Sequence, residues 1–255
     1  MKKKILFLPL FFFNLSVFAQ GPKPPTLPNL PSVTVTVGGT PTNGQLTTTL
    51  AILLIITVIS IAPAILVLMT SFTRIIVIFS LLRSALGTQQ SPPNQILIGL
   101  ALFMTFFIMQ PTFTNAYNNA LKPYMSKKIG YQQAFEKGVQ PFRQFMYSEI
   151  IKHKDGDSIL LFTRYRKLPD PKKLSDIPTS VLIPAFVISE LKIAFKIGVL
   201  LYIPFILIDM VVASILLAMG MIMIPPVMVS LPFKLLLFVL ANGWDLVITG
   251  ILNSF

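Results

Sequence analysis

The chain has 255 residues, of which 54% are apolar and 12% are charged, and its mean hydropathy is +0.76. A water-soluble protein of this length cannot bury so much apolar surface, so the sequence predicts a membrane protein rather than a nucleic-acid-binding one, despite a formal net charge of +12. With no cysteine and one histidine, His153, the chain lacks the residues of a thiol nucleophile or a zinc site. We therefore predict no metal and no cofactor.

The first residues are typical of a secretory signal peptide, which we place at residues 1–19. Three lysines follow the initial methionine, an apolar run covers 5–13, and small side chains mark a cleavage site between Ala19 and Gln20. The alternative is an uncleaved anchor helix, but the apolar run is shorter than the ~20 residues that cross a bilayer. Cleavage places the mature amino terminus outside the cytoplasm.

Residues 20–45 contain six prolines among threonine, glycine and asparagine. Neither a regular helix nor a packed core can use this composition, so it predicts a flexible leader outside the cytoplasm. Alternating valines at 33, 35 and 37 would suit one short strand, although a single strand has no partner for its backbone hydrogen bonds.

Residues 46–113 contain three apolar segments, which predict a region of helical hairpins. The first segment, residues 50–72, is long enough to cross a bilayer, and Pro63 predicts a kink within it. The second segment, 75–86, ends at a turn rich in glycine and proline, and the third covers 95–113.

The basic residues predict the topology. Arg74 and Arg83 flank the connection between the long segments, and the positive-inside rule assigns that connection to the cytoplasm. Residues 114–180 carry twelve lysines and arginines against six acidic residues and predict a small polar domain with helical patterning. Segments longer than about 60 residues escape the charge rule, so the hairpin order places this domain outside the cytoplasm. Within it, residues 154–157 resemble a calcium loop only weakly, and a surface turn is the better interpretation.

The last region, residues 181–255, is almost wholly apolar and predicts further helical hairpins. We expect the proline pair at 225–226 and Pro232 to break it twice, so that the final helix covers 233–252. Ionisable groups at membrane depth need partners. Six of them interrupt this region: Glu190, Lys192, Lys196, Asp209, Lys234 and Asp245.

The spacing of the first three charges excludes a local ladder of ion pairs. Lys192 and Lys196 lie four residues apart on one helical face and repel each other, while Glu190 lies on another face. Their partners must come from other helices or other chains. The alternative is a helix at a membrane surface, with its lysines extended toward the headgroups. We predict that these three residues, with Asp209 and Lys234, make polar contacts between subunits.

Methionines are concentrated after Asp209, and two interpretations are open. Methionine is unbranched and polarizable, so a cluster fills an ordinary core or forms a deformable seal. Ser214 and Ala218 form a pair of small residues that lets helix backbones approach closely. The cluster comprises Met210, Met219, Met221, Met223 and Met228.

Three blocks resemble the P subunit family of the flagellar type III protein export gate, and the resemblance extends from about residue 47 to the carboxyl terminus. The blocks are residues 82–94 (LRSALGTQQSPPN), 184–198 (PAFVISELKIAFKIG) and 225–234 (PPVMVSLPFK). The resemblance implies an all-helical subunit that is not an enzyme. In that family, several copies assemble with Q-type and R-type subunits, larger export-gate proteins and basal-body ring proteins of the inner membrane, and unfolded proteins pass through the channel.

The resemblance also implies a role for the methionine-rich loop, which narrows the family's pore into a gasket around the substrate. The matching residues here are Met221, Ile222 and Met223, followed by the turn at Pro225 and Pro226. The family commonly has three consecutive methionines, so Ile222 is a departure that keeps apolarity but loses one flexible thioether.

Two alternatives remain open at this point. Virulence secretion systems contain close homologues of the family, although the signal peptide and leader resemble the flagellar branch more. A secondary transporter or proton channel would use Glu190, Lys192 and Asp209 as a relay at broken helices. No repeated hydropathy pattern links the two apolar halves, which argues against a transporter.

Overall fold

The computed structural model describes residues 43–255 except 89, 172 and 222. The predicted signal peptide, its cleavage site at Ala19 and Gln20, most of the predicted leader and Ile222 lie outside the described residues. The chain divides into two compact units, Met1–Ile52 and Leu53–Phe255. Of the first unit, residues 43–52 are described, and they form the first turns of α1.

Every regular element of the described residues is a helix, which confirms the predicted all-α fold. A π-helical turn joins α3 to α4, and a short 3-10 turn precedes α7. The elements are α1 (Asn43–Leu68), α2 (Phe72–Leu86), α3 (Asn94–Ala116), the π turn (Tyr117–Leu121), α4 (Lys122–Met125), α5 (Tyr131–Lys152), α6 (Gly156–Tyr165), the 3-10 turn (Leu174–Asp176), α7 (Thr179–Ala218), α8 (Pro226–Leu240) and α9 (Gly243–Ser254).

Two helical segments are long and apolar enough to cross a membrane, namely Asn94–Met125 and Thr179–Ala218. The pair α8 and α9, bent by 67°, passes the same test when it is counted together. These segments support the prediction that the chain is a membrane protein. The first segment continues through residue 114, where the sequence predicts that the polar domain begins.

The predicted break at Pro232 is wrong, because α8 continues through this residue to Leu240. One missing N–H removes only one hydrogen bond, and the neighbouring turns preserve the helix. The chain bends instead after α8, where Asn242 has a left-handed φ of 50°. Gly243 follows, and a Cβ there would lie 2.3 Å from ring atoms of Phe238, so only glycine allows this close return.

Two clusters of buried apolar side chains hold the helices together. The first lies among α2, α3, α7, α8 and α9 and includes Phe79, Ala194 and Ile251. The second lies among α3, α5, α6 and α7 and includes Met146 and Phe186. Because α3 and α7 contribute to both clusters, the predicted polar domain shares its core with the apolar helices.

Candidate functional site

A fully buried arginine connects three helices. Arg74 on α2 donates from Nε and Nη2 to the two carboxylate oxygens of Glu190 on α7, at 2.8 and 2.5 Å. Its Nη2 also donates to Glu149 Oε2 on α5, at 2.8 Å. Arg74 and Glu190 are each 0% exposed. Charges this deep are tolerated only when they are paired and hydrogen-bonded, so the cluster ties α2, α5 and α7 into one arrangement.

The last two residues complete the surroundings of Arg74. Its Nη1 donates to the backbone oxygen of Ser254 at 2.8 Å, and its guanidinium carbon lies 3.8 Å from the centre of the Phe255 ring. His153 Nε2 contacts the same Ser254 oxygen at 3.0 Å. Burial, followed by the charge of Arg74, lowers the pKa of His153 below its usual 6.5.

A second ion pair joins α7 to the start of α6. Lys192 Nζ donates to Asp155 Oδ1 at 2.9 Å and to Ser158 Oγ at 2.8 Å. Burial raises the pKa of Asp155, but the hydrogen bonds from Lys192 and Ser158 outweigh it and leave the pKa below its usual value. Asp155, directly before α6, is therefore engaged with α7, and residues 156–157 already belong to α6.

A third ion pair lies between α7 and α8. Lys234 Nζ donates to Asp209 Oδ2 at 2.7 Å and to the backbone oxygen of Ala85 at 3.2 Å, and Ser230 also donates to Asp209. The lysine side chain is 4% exposed and the aspartate 29%. Ala85 is in the last turn of α2, whose terminal carbonyls lack helical partners, so Lys234 caps that helix as well.

The loop between α7 and α8 carries the predicted gasket residues. α7 ends at Ala218, and the turn that follows contains Gly220, with φ +72°. Met221 N–H donates to the Leu216 oxygen at 2.9 Å and so satisfies a carbonyl of the last helical turn. Met223 is 96% exposed. Pro225 is extended and Pro226 is the first residue of α8, so the two prolines set the start of that helix, as a turn requires.

An apolar groove of about 680 Å³ lies behind this loop, between α7 and α8. Met221 lines it together with Leu216 and Phe233. Both helices also expose large apolar side chains to their surroundings, including Leu207, Met210 and Leu236. Apolar surface of this extent marks contact with lipid or with other subunits.

The predicted polar residues thus find most of their partners within one chain. Glu190, Lys192, Asp209 and Lys234 each pair with another helix or its adjoining turn, as the spacing argument requires for the first two. Lys196 is exposed and has no ion-pair partner among residues 43–255 as far as they are described. The predicted contacts between subunits stay a prediction for all five residues.

The sequence analysis did not identify Arg74 as the centre of the buried charge cluster with Glu149 and Glu190. Arg74 entered only as a topology marker, yet it is the one charge between Lys23 and Arg83. The argument applied to Glu190, that an isolated charge in an apolar segment needs a partner, would have identified it. Glu149 carried no such signal because it lies in a segment rich in charges. In the part of the chain that the structure describes, no three metal-ligating side chains converge.

Most of the chain matches one known protein family. The model of the FliP family matches residues 55–251. The flagellar biosynthetic protein FliP of Bacillus subtilis (strain 168) is 52% identical over 211 residues, which cover 83% of this chain and 94% of the relative. Proteins of the same name from Treponema denticola and Treponema pallidum are 45% and 43% identical, covering 98% and 100% of this chain and 95% and 97% of theirs. The chain therefore belongs to the FliP family.

Proposed function

We propose that this chain is a channel-forming subunit of the flagellar protein export apparatus, and that its loop at residues 219–225 gates the passage of unfolded flagellar proteins. The names of the relatives support a role in flagellar biosynthesis. The observation that carries the gating role is the exposed loop itself, because Met221 and Met223 lie between two helices that a partly buried ion pair holds together.

The membrane placement belongs to the same proposal. The apolar helices and the family point to a membrane-embedded flagellar component. We place it in the inner membrane, in the flagellar basal body, with residues 114–180 outside the cytoplasm. In this orientation Arg74, which donates to Glu149 of that domain, also lies outside the cytoplasm. The prediction that the connection flanked by Arg74 and Arg83 is cytoplasmic is therefore wrong at Arg74.

The partners are those that the family resemblance implies, and the uncovered apolar surface supports assembly with other subunits. The exposed faces of α7 and α8 would bind further copies of this chain and the smaller Q-type and R-type subunits. Larger export-gate proteins and basal-body ring proteins would surround that core. Helices that expose aliphatic side chains pack closely when small residues lie among them, and Ser214 and Ala218 are such residues on α7.

The loop would work as a flexible seal. A ring of apolar side chains, one set from each copy, closes by excluding water and so holds back ions. Methionine side chains have three rotatable bonds and repack easily, so the ring widens around an extended polypeptide of any sequence. The Asp209–Lys234 ion pair holds α7 and α8 together while the loop that connects them moves.

Replacing Met221, Ile222 and Met223 together with alanine tests this function. The variant should assemble and export flagellar proteins, but it should leak small ions. Growth in high salt and ion flux in vesicles measure the leak. The leucine triple variant should stay tight to ions and export more slowly, since leucine is stiffer than methionine. Met125→Ala removes an exposed methionine from α4 and is the control.

Two outcomes contradict the proposal. An assembled alanine variant that is tight to ions and fully active in export would exclude the seal. Loss of the assembled complex in the alanine variant, with the control intact, would show that these residues are ordinary packing.

A further inference from the structure

An aromatic groove lies at the far end of the hairpin formed by α3 and α5, in a part of the molecule that the proposed seal does not use. It has a volume of about 470 Å³ and runs along the π-helical turn, α4 and the first turns of α5. Five aromatic side chains line it, and Tyr131 and Phe135 are 74% and 62% exposed. The five are Phe113, Tyr117, Tyr124, Tyr131 and Phe135.

Small residues keep the groove open between the two helices. Ala116 and Ala134 line it, and so does Gly138, where an added Cβ would lie 3.5 Å from Ala120 Cβ. One wall is the π-helical turn Tyr117–Leu121, a rare distortion that often accompanies functional sites. A ligand can therefore approach the backbone while it contacts aromatic rings on both sides.

Lipid does not account for this groove. The continuous segment Asn94–Met125 has 32 residues, and about 20 helical residues cross the ~30 Å of hydrocarbon. When the membrane begins near Asn94, the last ~12 residues project beyond the far side, and these residues carry the groove. Aromatic side chains that are exposed there face water, and a contiguous patch of them marks a site of interaction with protein.

Aromatic-lined grooves are the usual binding sites for polyproline II helices, because proline rings pack flat on aromatic rings and the segment loses little entropy on binding. A polyproline II helix has three residues per turn, so prolines at every third position share one face. The leader of this chain has that repeat at Pro22, Pro25, Pro28 and Pro31.

We propose that this groove binds the Pro-x-x-Pro segment, residues 22–31, from the leader of a neighbouring copy. The inference rests on the proposed function, which places several copies side by side with their leaders and polar domains in the same compartment. A bound polyproline II helix would place these four prolines on one face, toward the aromatic rings. The short distance between copies raises the effective concentration of each leader at its neighbour.

Disulfide trapping tests the contact directly, because the chain has no native cysteine. Two differently tagged chains, one carrying Pro28→Cys and the other Tyr131→Cys, are expressed together, and the purified complex is oxidised with copper phenanthroline. We expect a covalent heterodimer. Tyr165→Cys on α6, which is 87% exposed and lies outside the groove, should give at least tenfold less product. Replacing Pro22, Pro25 and Pro31 with alanine in the Pro28→Cys chain should abolish the product.

A binding measurement gives the chemistry of the contact. A fluorescent peptide of residues 21–32 is titrated into the complex whose own four repeat prolines are replaced by alanine. We expect saturable binding that Tyr131→Ala and Phe135→Ala each weaken at least tenfold and that Tyr165→Ala leaves unchanged. A peptide with the same prolines out of their three-residue spacing should bind at least tenfold more weakly.

The results separate this proposal from the proposed function. An intact complex with no trapped heterodimer above the Tyr165→Cys level, or peptide binding unaffected by the groove variants, would overturn the leader contact alone. Ion retention and export by the same complex report on the seal independently. A chain that is purified only as a monomer would overturn both.

Discussion

The two halves of α7 are similarly apolar but have different surroundings. In residues 181–198, nine residues are buried, whereas in residues 199–218 three are buried. In the first half, Glu190 pairs with Arg74 on α2 and Lys192 pairs with Asp155 beside α6. The only charge of the second half, Asp209, pairs with Lys234 on α8. The first half is thus part of this chain's own core, and the second offers its surface to lipid or to neighbouring subunits.

The difference shows what hydropathy cannot predict, namely which molecule covers an apolar helix. Hydropathy measures how unfavourable water is for a segment, and it does so equally for a helix enclosed by its own chain and for one enclosed by other molecules. Removing a contact should therefore have different consequences in the two halves. Changes in the first half should unfold the single chain, and changes in the second should act on assembly or gating.

The largest effect is expected for Arg74→Ala. It leaves Glu149 and Glu190 buried, adjacent and without their cation, which costs about 3–5 kcal/mol of folding free energy. Glu190→Ala should have a similar effect and should also reduce recovery of the oligomer. Yield and protease resistance of the detergent-extracted chain measure both effects, and Lys128→Ala, at an exposed position outside α7, is the control. Normal assembly of the Glu190 variant with altered proton flux alone would favour a transporter instead.

A smaller loss is expected for Lys234→Met in the second half. Methionine keeps most of the volume but leaves Asp209 with Ser230 alone and removes the cap on Ala85, which costs about 1–3 kcal/mol. Because Asp209 is 29% exposed, water compensates part of the loss. The complex should still form, with more ion leakage than the parent. If the variant complex leaks no more ions than the parent, this ion pair does not contribute to the seal at the loop.

Gly198→Ala tests the junction of the two halves. The added methyl group would lie 2.2 Å from Leu81 Cδ1 and 3.3 Å from its Cβ and Cγ, so α2 and α7 must separate slightly. We expect a loss of about 1–3 kcal/mol in thermal stability. Gly250→Ala, with no atom within 4 Å of the new methyl group, should be neutral or stabilising, because alanine favours the helix. Equal losses of thermal stability for the two variants would mean that the contact between α2 and α7 does not cause the loss at Gly198.

The smallest effect concerns pH. His153 has a lowered pKa in the folded chain, so folding favours its neutral form. Its contribution is fully present above pH 6.5, the unfolded value, and is lost as the pH falls below 6.5 through the folded pKa. The melting temperature of the complex should therefore fall between pH 7 and pH 5, and His153→Gln should reduce that fall. An unchanged pH dependence in the variant would assign it to other groups.

The sequence predicted the helical fold, the apolar segments and the ionisable residues that matter, because all three depend on local composition and spacing. It predicted that Glu190 and Lys192 needed partners from outside their own helix, since residues two and four apart cannot supply them. It did not identify those partners. Arg74 lies 116 positions before Glu190, and no periodicity relates the two residues.

The break of the last helices illustrates the same limit at short range. Pro232 carried the strongest sequence signal for a break, yet α8 continues through it, and the chain turns at Asn242 and Gly243 instead. A proline removes one hydrogen bond, which a packed helix tolerates, whereas the turn depends on the close approach of Gly243 to Phe238. That contact exists only after α8 and α9 pack together.

The sequence by itself thus determined which segments leave water and which loop is apolar, flexible and bounded by prolines. Only the tertiary structure decided which of those segments the chain covers for itself. The physical reason is that hydrophobic burial is non-directional, so any apolar surface satisfies it. Buried charges are different, because each needs a particular partner at hydrogen-bond distance. The pairs of Arg74 with Glu190 and of Lys234 with Asp209 therefore fix where the helices meet.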